Sequence, residues 1–185
     1  MSYLHYNSRR ITHSFIWEHI DEVGAKKLTK TDDVLLWQRK TFDAYLKSFF
    51  PFQYNGKTFC LINNFLASQY MKCTVCGNYP IIEVSVIRSE DGQNLNVGNN
   101  CIDRITNRSV SKWFKSYRRK RQNVIKNRKY IDGISLVLNA YTKNELPFRV
   151  TEGDVIKLKK ALERMCNGLN PTRRQEQLAE CYISR

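Results

Sequence analysis

The segment Cys73-Thr74-Val75-Cys76, in the middle of the chain, brings two thiols within reach of one metal ion. A gap of two residues between cysteines is typical of zinc knuckles. Gly77 follows at once and permits the sharp backbone turn that such a loop needs. Zinc takes about four donors, so further ligands must come from other parts of the chain. This requirement constrains the fold strongly, because it ties separate segments to a single ion.

Cys101 is the expected third ligand. It follows a predicted hairpin, in which residues 80 to 88 alternate as a strand does and Leu95 and Val97 continue as a second strand. Cys101 then lies at the start of a short predicted helix, with Asn100 as its expected cap. The positive end of a helix dipole favours a thiolate at that position.

The order of knuckle, hairpin and helix resembles a treble-clef or zinc-ribbon-like finger over residues 73 to 107, about a fifth of the chain. The usual second helical ligand, one turn after the first, is absent: Asp103 and Arg104 stand there. Cys60, on a preceding predicted hairpin, is the first choice for the fourth ligand. The alternatives that stay open are Asp103, Cys166 and Cys181. Because these ligands would leave no position for water or substrate, the zinc is expected to be structural.

The second feature is a segment whose charges are all positive. Lys and Arg make up nine of the eighteen residues from Lys112 to Lys129, and no Asp or Glu occurs between Arg104 and Ile131. On a helix over residues 109 to 131, apolar side chains fall within an arc of roughly 120° and most basic side chains fall opposite them. Arg121 and Arg128 project into the apolar arc, which weakens the prediction of one helix beyond about residue 120.

The expected partner of the basic face is nucleic acid, because a polyanion makes such a field useful. If about six side chains neutralise phosphates, log K should fall with log salt at a slope near roughly −5. The candidates for reading bases are Arg104, Asn107 and Arg108 near the metal-held helix, and Arg9 and Arg10 in an N-terminal arm. The predicted nucleic-acid-binding residues are Lys112, Lys115, Arg118, Arg119, Lys126, Lys129, Arg104 and Arg108.

Composition supports a folded, basic protein. Hydrophobic residues make up 42% of the 185, the net charge is +14 and the isoelectric point is about 9.7. No stretch approaches the roughly 18 apolar residues of a membrane span, and the N-terminus lacks an apolar signal core. Six cysteines in a chain of this length favour metal over a disulfide framework. We therefore expect a cytoplasmic protein in a reducing compartment, with the nucleus or nucleoid as alternatives.

The predicted fold is α+β and mostly helical, with a small zinc-stabilised β-hairpin finger flanked by helices. Three regions are expected: a helical region over residues 1–51, a finger module over 52–108, and the basic helix with C-terminal helices over 109–185. They are expected to pack as one compact unit. Asn55-Gly56 predicts a hairpin turn, residues 62 to 71 are predicted as a short helix, and Thr151 is the expected cap of a later helix.

The predicted function is nucleic-acid binding through a structural zinc finger and a basic amphipathic helix, with DNA slightly favoured over RNA. One alternative is an adaptor that docks on a larger nucleic-acid machine, such as a polymerase or a ribosome. Another is a metal-dependent nuclease. Catalysis is not expected, because the chain contains no phosphate loop, GxSxG or HExxH motif, and its three histidines all precede residue 20.

Overall fold

A computed structural model describes residues 30 to 184 of the chain. Most of the helical region expected over residues 1–51 and the arm with Arg9 and Arg10 lie outside the described residues. Between residues 30 and 184 the chain forms six helices and four strands, consistent with the predicted α+β class. In chain order they are α1 (Thr31–Ser48), β1 (Phe52–Tyr54), β2 (Lys57–Met71), β3 (Ile81–Ser89), β4 (Asn94–Gly98), α2 (Asn99–Thr106), α3 (Val110–Lys126), α4 (Arg128–Thr142), α5 (Glu152–Cys166) and α6 (Arg173–Ile183).

The chain divides into two compact units. The sheet unit is Lys40–Arg118, and the helical unit consists of residues 30–39 together with 119–184. The division falls inside α1 and α3, so it does not coincide with the boundaries expected at residues 51/52 and 108/109. Sequence patterns placed those boundaries at changes of secondary structure, whereas a long helix can supply residues to two cores.

The sheet is an antiparallel meander in the order β1-β2-β3-β4. Its first turn is the predicted one: Tyr54 pairs with Lys57, and Asn55 and Gly56 take φ values of 49° and 73°. These two positive φ values match the type of two-residue turn that follows the twist of paired strands. The predicted strands over residues 80–88 and around Leu95 and Val97 are confirmed as β3 and β4.

The prediction of a helix over residues 62 to 71 is wrong, because this segment continues β2 to Met71. It pairs along β3, with Phe65 opposite Val84, and the side-chain amide of Asn64 donates to Ser85 Oγ at 3.0 Å. The backbone N–H and C=O groups of β3 need hydrogen-bond partners, and β2 supplies them. This pairing overrides the local helical preference of residues 62 to 71.

The core of the sheet unit is strongly aromatic. Phe42 and Phe114 are almost fully buried, with 3% and 0% of their surface exposed. Tyr45 stacks on Trp113 with ring centroids 3.7 Å apart, and Trp113 stacks on Tyr117 at 5.8 Å. The second half of α1 and the apolar side of the start of the basic helix therefore share one core, which fixes the first turns of α3.

The basic segment forms two helices, not one. α3 ends at Lys126, Asn127 is buried, and α4 begins at Arg128. The two arginines that did not fit a single helix have partners in the helical unit: Arg121 donates to the carbonyl of Leu35 at 3.0 Å. Arg128 pairs with Asp32 and Asp132 at 3.1 and 3.4 Å.

The helical unit packs α4 against α5 and α6 around Ile134, Leu158 and Met165, each at most 1% exposed. Thr151 caps α5 as predicted, accepting a hydrogen bond from the backbone N–H of Asp154 at 3.1 Å. The chain leaves α5 at Gly168, which has a φ of +71°. No helix within residues 30–184 has the length and apolarity needed to cross a membrane.

We predict that Gly168→Ala destabilises the protein by about 3 kcal/mol, since a left-handed residue with a side chain is strained and the site is crowded. An added Cβ at Gly168 would approach the Lys120 backbone, at 2.6 Å from Cα and 2.7 Å from O. Urea unfolding measures the effect.

Gly153→Ala is the matched control, because a Cβ there meets only Thr151 Oγ1 at 3.9 Å. It should leave stability unchanged or raise it by up to about 1 kcal/mol. Equal losses in the two variants would show that the close approach of residue 168 to Lys120 has been misjudged.

Candidate metal centre and basic surface

The knuckle is a closed turn between β2 and β3. The Cys73 N–H donates to the Asn78 carbonyl at 2.9 Å, and the Gly77 N–H donates to the Cys73 carbonyl at 2.8 Å. Gly77 takes a φ of +74°, which is why glycine suits this position. A third bond, from Thr74 N–H to the Asn96 carbonyl at 2.8 Å, ties the loop to β4.

Three thiols converge at this loop: the sulfur atoms of Cys73, Cys76 and Cys101 all lie within 4.8 Å of one another. Thiolates bound to one tetrahedral zinc at about 2.3 Å stand about 3.8 Å apart, so the cluster needs only a small contraction. Cys73 and Cys101 are buried and Cys76 is exposed. The cluster is therefore close enough to hold a metal ion, as the sequence predicted for these three residues.

The surroundings of Cys73 favour its thiolate. Burial alone would raise its pKa, but backbone N–H groups of Gly98, Cys76 and Val75 face the sulfur and lower the pKa below its ordinary value. The Gly98 N–H donates to Cys73 Sγ at 3.4 Å. Such bonds stabilise the charged form of a thiol, which is the form that binds a metal.

Cys101 occupies the first turn of α2, with Arg104 one turn later. The Arg104 guanidinium approaches Cys101 Sγ at 3.9 Å. Burial, followed by the neighbouring thiols of Cys76 and Cys73, raises the pKa of Cys101 to about 12. A bound cation reverses this effect, because it displaces the thiol proton and neutralises the charge that the three sulfurs would otherwise share.

The cluster lies in the wall of a pocket of about 540 Å³. Asn99 also lines this pocket, and its side-chain oxygen is buried without a hydrogen-bond partner among the described residues. Between residues 30 and 184, no fourth Cys, His, Asp or Glu side chain joins the three cysteines. The described part of the chain thus supplies three of the four ligands that zinc ordinarily takes.

Cys60, the expected fourth ligand, lies elsewhere. It pairs with Arg88, whereas Ile81 at the knuckle end of β3 pairs with Met71. Seven residues of strand separate the two positions, which corresponds to roughly 23 Å. The prediction failed because residues 62 to 71 extend the strand and carry Cys60 to the other end of the sheet.

Asp103, the second choice, has another structural role. Its carboxylate accepts from the Ser111 backbone N–H at 2.8 Å and from the Ser111 hydroxyl. It thus holds the start of α3, where unpaired N–H groups need acceptors. The remaining candidates, Cys166 and Cys181, lie on α5 and α6 outside the cluster. Burial and then Asp132 raise the pKa of the Cys166 thiol to about 12, which suits an inert thiol.

Most of the predicted nucleic-acid-binding residues are exposed to solvent, but Arg118 is already paired and cannot contact a phosphate. Its guanidinium forms an ion pair with Glu83 and donates to Asn64 Oδ1, and the Arg118 side chain is only 24% exposed. The sequence pattern failed here because two polar residues of the sheet turn inward to meet this arginine. The exposed residues are Arg104, Arg108, Lys112 and Lys115 in the sheet unit, and Arg119, Lys126 and Lys129 in the helical unit.

Four exposed basic residues flank the short connection between α2 and α3: Arg104 on α2, Arg108 in the connection, and Lys112 and Lys115 on α3. We call these four residues the basic corner. Asn107 ends α2 in the left-handed region, with a φ of 50°. Arg108 follows, and its guanidinium lies over the rings of Phe49 and Phe50, at 5.2 and 5.7 Å from their centroids. Stacking on aromatic faces orients a guanidinium without neutralising its charge.

Gly98 was not among the predicted site residues. It precedes α2, its N–H meets Cys73 Sγ, and a Cβ there would lie 3.1 Å from Ile81. The chain carried a signal for this role, because a glycine directly before a ligand-bearing helix allows close backbone approach to the ion. The expected cap, Asn100, lies inside α2 instead, and Gly98 takes the cap position with no side-chain hydrogen bond.

We predict that Cys76→Ser releases the metal, because two thiolates do not replace a tetrahedral set. Elemental analysis should show the ratio of metal to protein falling from about one toward zero. Thermal unfolding of the sheet unit should shift to lower temperature, since metal binding contributes to folding.

Cys60→Ser is the matched control, because both cysteines are exposed and only Cys76 belongs to the cluster. It should retain the metal. The reverse result, with metal lost from Cys60→Ser and kept by Cys76→Ser, would contradict the assigned ligand set.

We further predict that Asp103→Asn lowers the unfolding free energy by about 1–2 kcal/mol while the metal content stays constant. The amide keeps one acceptor oxygen but loses the charge that favours a helix N-terminus. Urea unfolding combined with elemental analysis measures both quantities. Loss of metal from this variant would identify Asp103 as a ligand.

Comparison with known proteins gives no family for this chain. No family model matches it, and neither a curated protein nor a solved structure shows significant similarity to it. The resemblance to a treble-clef finger therefore stays a prediction from the order of knuckle, hairpin and helix. The assignment of the site rests on the geometry of its own residues.

Proposed function

We propose that this protein binds the backbone of nucleic acids through the basic corner, and that a zinc ion at Cys73, Cys76 and Cys101 fixes the corner to the sheet. The observation that carries the proposal is the continuity of α2. Its first turn holds Cys101, and its last turn together with the following residues holds Arg104 and Arg108. A metal at Cys101 would thus determine where Arg104, one turn later, and Arg108 lie.

The charge balance of the basic corner supports an anionic partner. The sheet unit contains ten basic and five acidic residues. Two of its acids pair with basic residues outside the corner, Glu83 with Arg118 and Asp91 with Lys57, whereas Asp103 keeps its negative charge while it accepts from Ser111. The sheet unit therefore has a surplus of five positive charges, to which Arg104, Arg108, Lys112 and Lys115 contribute. A surface of uncompensated cations attracts phosphates over distances of about a Debye length.

Zinc suits the cluster better than a harder cation. Thiolates are soft ligands, whereas magnesium and calcium take oxygen donors. In this proposal the ion joins the knuckle to α2 and supplies folding free energy. The two acids nearest the cluster in sequence, Glu83 and Asp103, are bound to Arg118 and Ser111. Since these carboxylates are occupied, a binding role is favoured over a metal-dependent nuclease.

Binding that is dominated by phosphate contacts weakens in a characteristic way as the salt concentration rises. Each phosphate contact on duplex DNA contributes about −0.9 to the slope of log K against log salt, so four contacts give roughly −3.6. This slope is shallower than the roughly −5 expected from six side chains, because the basic corner has four members and Arg118 is paired within the sheet unit. Binding of this kind is strong at low salt and depends little on sequence.

We predict that reversing Arg108, Lys112 and Lys115 to Glu weakens duplex binding at least roughly 100-fold at about 100 mM salt and makes the slope shallower by about 3. Fluorescence anisotropy over a salt series measures both. Reversing Arg119, Lys126 and Lys129 in the helical unit should have a smaller effect. There Asp32 and Asp132 already lie beside Arg128 and lower the local potential.

The matched control reverses Lys143, Lys159 and Lys160, which are exposed in the helical unit and give the same change in net charge. It should change affinity by less than about fivefold, since long-range effects are screened at this salt. If the control loses as much affinity as the basic-corner variant, general charge and not a local surface governs binding.

A further inference from the structure

Two tyrosines stand exposed where the chain enters and leaves the knuckle. Tyr70 is 67% exposed and Tyr79 is 62% exposed. Their rings lie edge to face, with centroids 6.2 Å apart and planes at 78°. Met71 follows Tyr70 by one residue, and Ile81 follows Tyr79 by two. The pairing of Met71 with Ile81 therefore holds the two tyrosine segments side by side.

Few aromatic side chains of the sheet unit are so exposed. Phe42, Phe49, Phe59 and Phe114 are buried, and Phe50, at 57%, lies beside Arg108. A pair of exposed rings in mutual contact is a feature that binding surfaces share. We call Tyr70 and Tyr79 the knuckle patch.

The electrostatics of the knuckle patch favour an anionic partner. Lys72 lies between the two tyrosines in sequence, and its Cε is 3.7 Å from the point where Gly77 would carry a Cβ. The aliphatic part of the Lys72 side chain therefore runs along the knuckle. No Asp or Glu occurs from Thr58 to Ile82, and the first acid of β3, Glu83, forms an ion pair with Arg118.

We propose that Tyr70 and Tyr79 stack on unpaired bases of a single-stranded nucleic acid while Lys72 contacts an adjacent phosphate. This inference rests on the proposed function and specifies the form of nucleic acid that the sheet unit prefers. Edge-to-face rings leave ring faces accessible, and successive bases of a single strand stack on such faces. A duplex keeps its base faces inside the helix and cannot use them. A purely apolar protein partner would not exploit Lys72 or the absence of acids.

The test uses the full-length, metal-loaded protein with Tyr70→Ala, Tyr79→Ala and the double variant. Labelled single-stranded DNA, single-stranded RNA and duplex DNA of about 15 nucleotides are titrated at about 100 mM salt. Stacking contributes about 1–3 kcal/mol per base by alanine substitution, so each change should weaken single-strand binding by roughly 5- to 100-fold. Duplex affinity and the salt slope should not change, because no charge is removed. The two single-strand arms show whether DNA or RNA is preferred.

Tyr→Phe at each position is the matched control. It retains the ring and should keep single-strand affinity within about twofold, since stacking uses the ring face and not the hydroxyl. Leu136→Ala, at a side chain of the helical unit that is 68% exposed, tests for a general effect of losing exposed apolar surface. It should leave all three affinities unchanged.

A second readout needs no variant. Ultraviolet cross-linking of the unaltered protein to single strands containing 5-bromouracil should attach bases to Tyr70 or Tyr79. Adducts confined to other residues would overturn the inference. Unchanged single-strand affinity in the double alanine variant would also overturn the inference. If the basic-corner reversal still abolishes binding in that case, the proposed function survives. Absence of binding to all three nucleic acids would remove the proposed function as well.

Discussion

In our proposal, the sheet unit depends on the convergence of three thiols on one metal ion. Cys73 and Cys76 belong to the turn between β2 and β3, whereas Cys101 belongs to α2. One ion shared by these sulfurs would join the turn to the helix. The Gly98 N–H bond to Cys73 Sγ gives this junction a second link and favours the thiolate that a metal needs. Because α2 carries Cys101 and Arg104 and leads to Arg108, the ion would position these two arginines, whereas the aromatic core holds Lys112 and Lys115 on α3.

The proposed functions use two sides of the same junction. The basic corner offers positive charge but little shape complementarity, which suits contacts to phosphates whatever the base sequence. The knuckle patch offers ring faces beside one lysine, which suits unpaired bases. In this proposal a strand would contact phosphates and bases together on one unit, and the ion would contribute to affinity indirectly, through preorganisation of the surface it supports.

Local signals in the sequence predicted the local structure well. The Asn55-Gly56 turn, the cap at Thr151 and the strands around Val84 and Val97 are present because each depends on a few neighbouring residues. The three clustered cysteines were also predictable, since knuckle spacing and a helix start are local patterns. Interactions across the sheet were not. The extension of β2 carried Cys60 away from the cluster, Ser111 bound Asp103, and Glu83 withdrew Arg118 from the surface. These outcomes depend on which strand pairs with which, and the chain contains no short pattern that specifies it.

The most direct test of the central claim is X-ray absorption at the metal edge of the purified protein, which counts and measures the atoms bound to the ion. Our account predicts one zinc per chain with three sulfur neighbours at about 2.3 Å and one lighter nitrogen or oxygen neighbour at about 2.0–2.2 Å. A protein that carries no stoichiometric metal, or an ion surrounded by oxygen and nitrogen atoms alone, would contradict it.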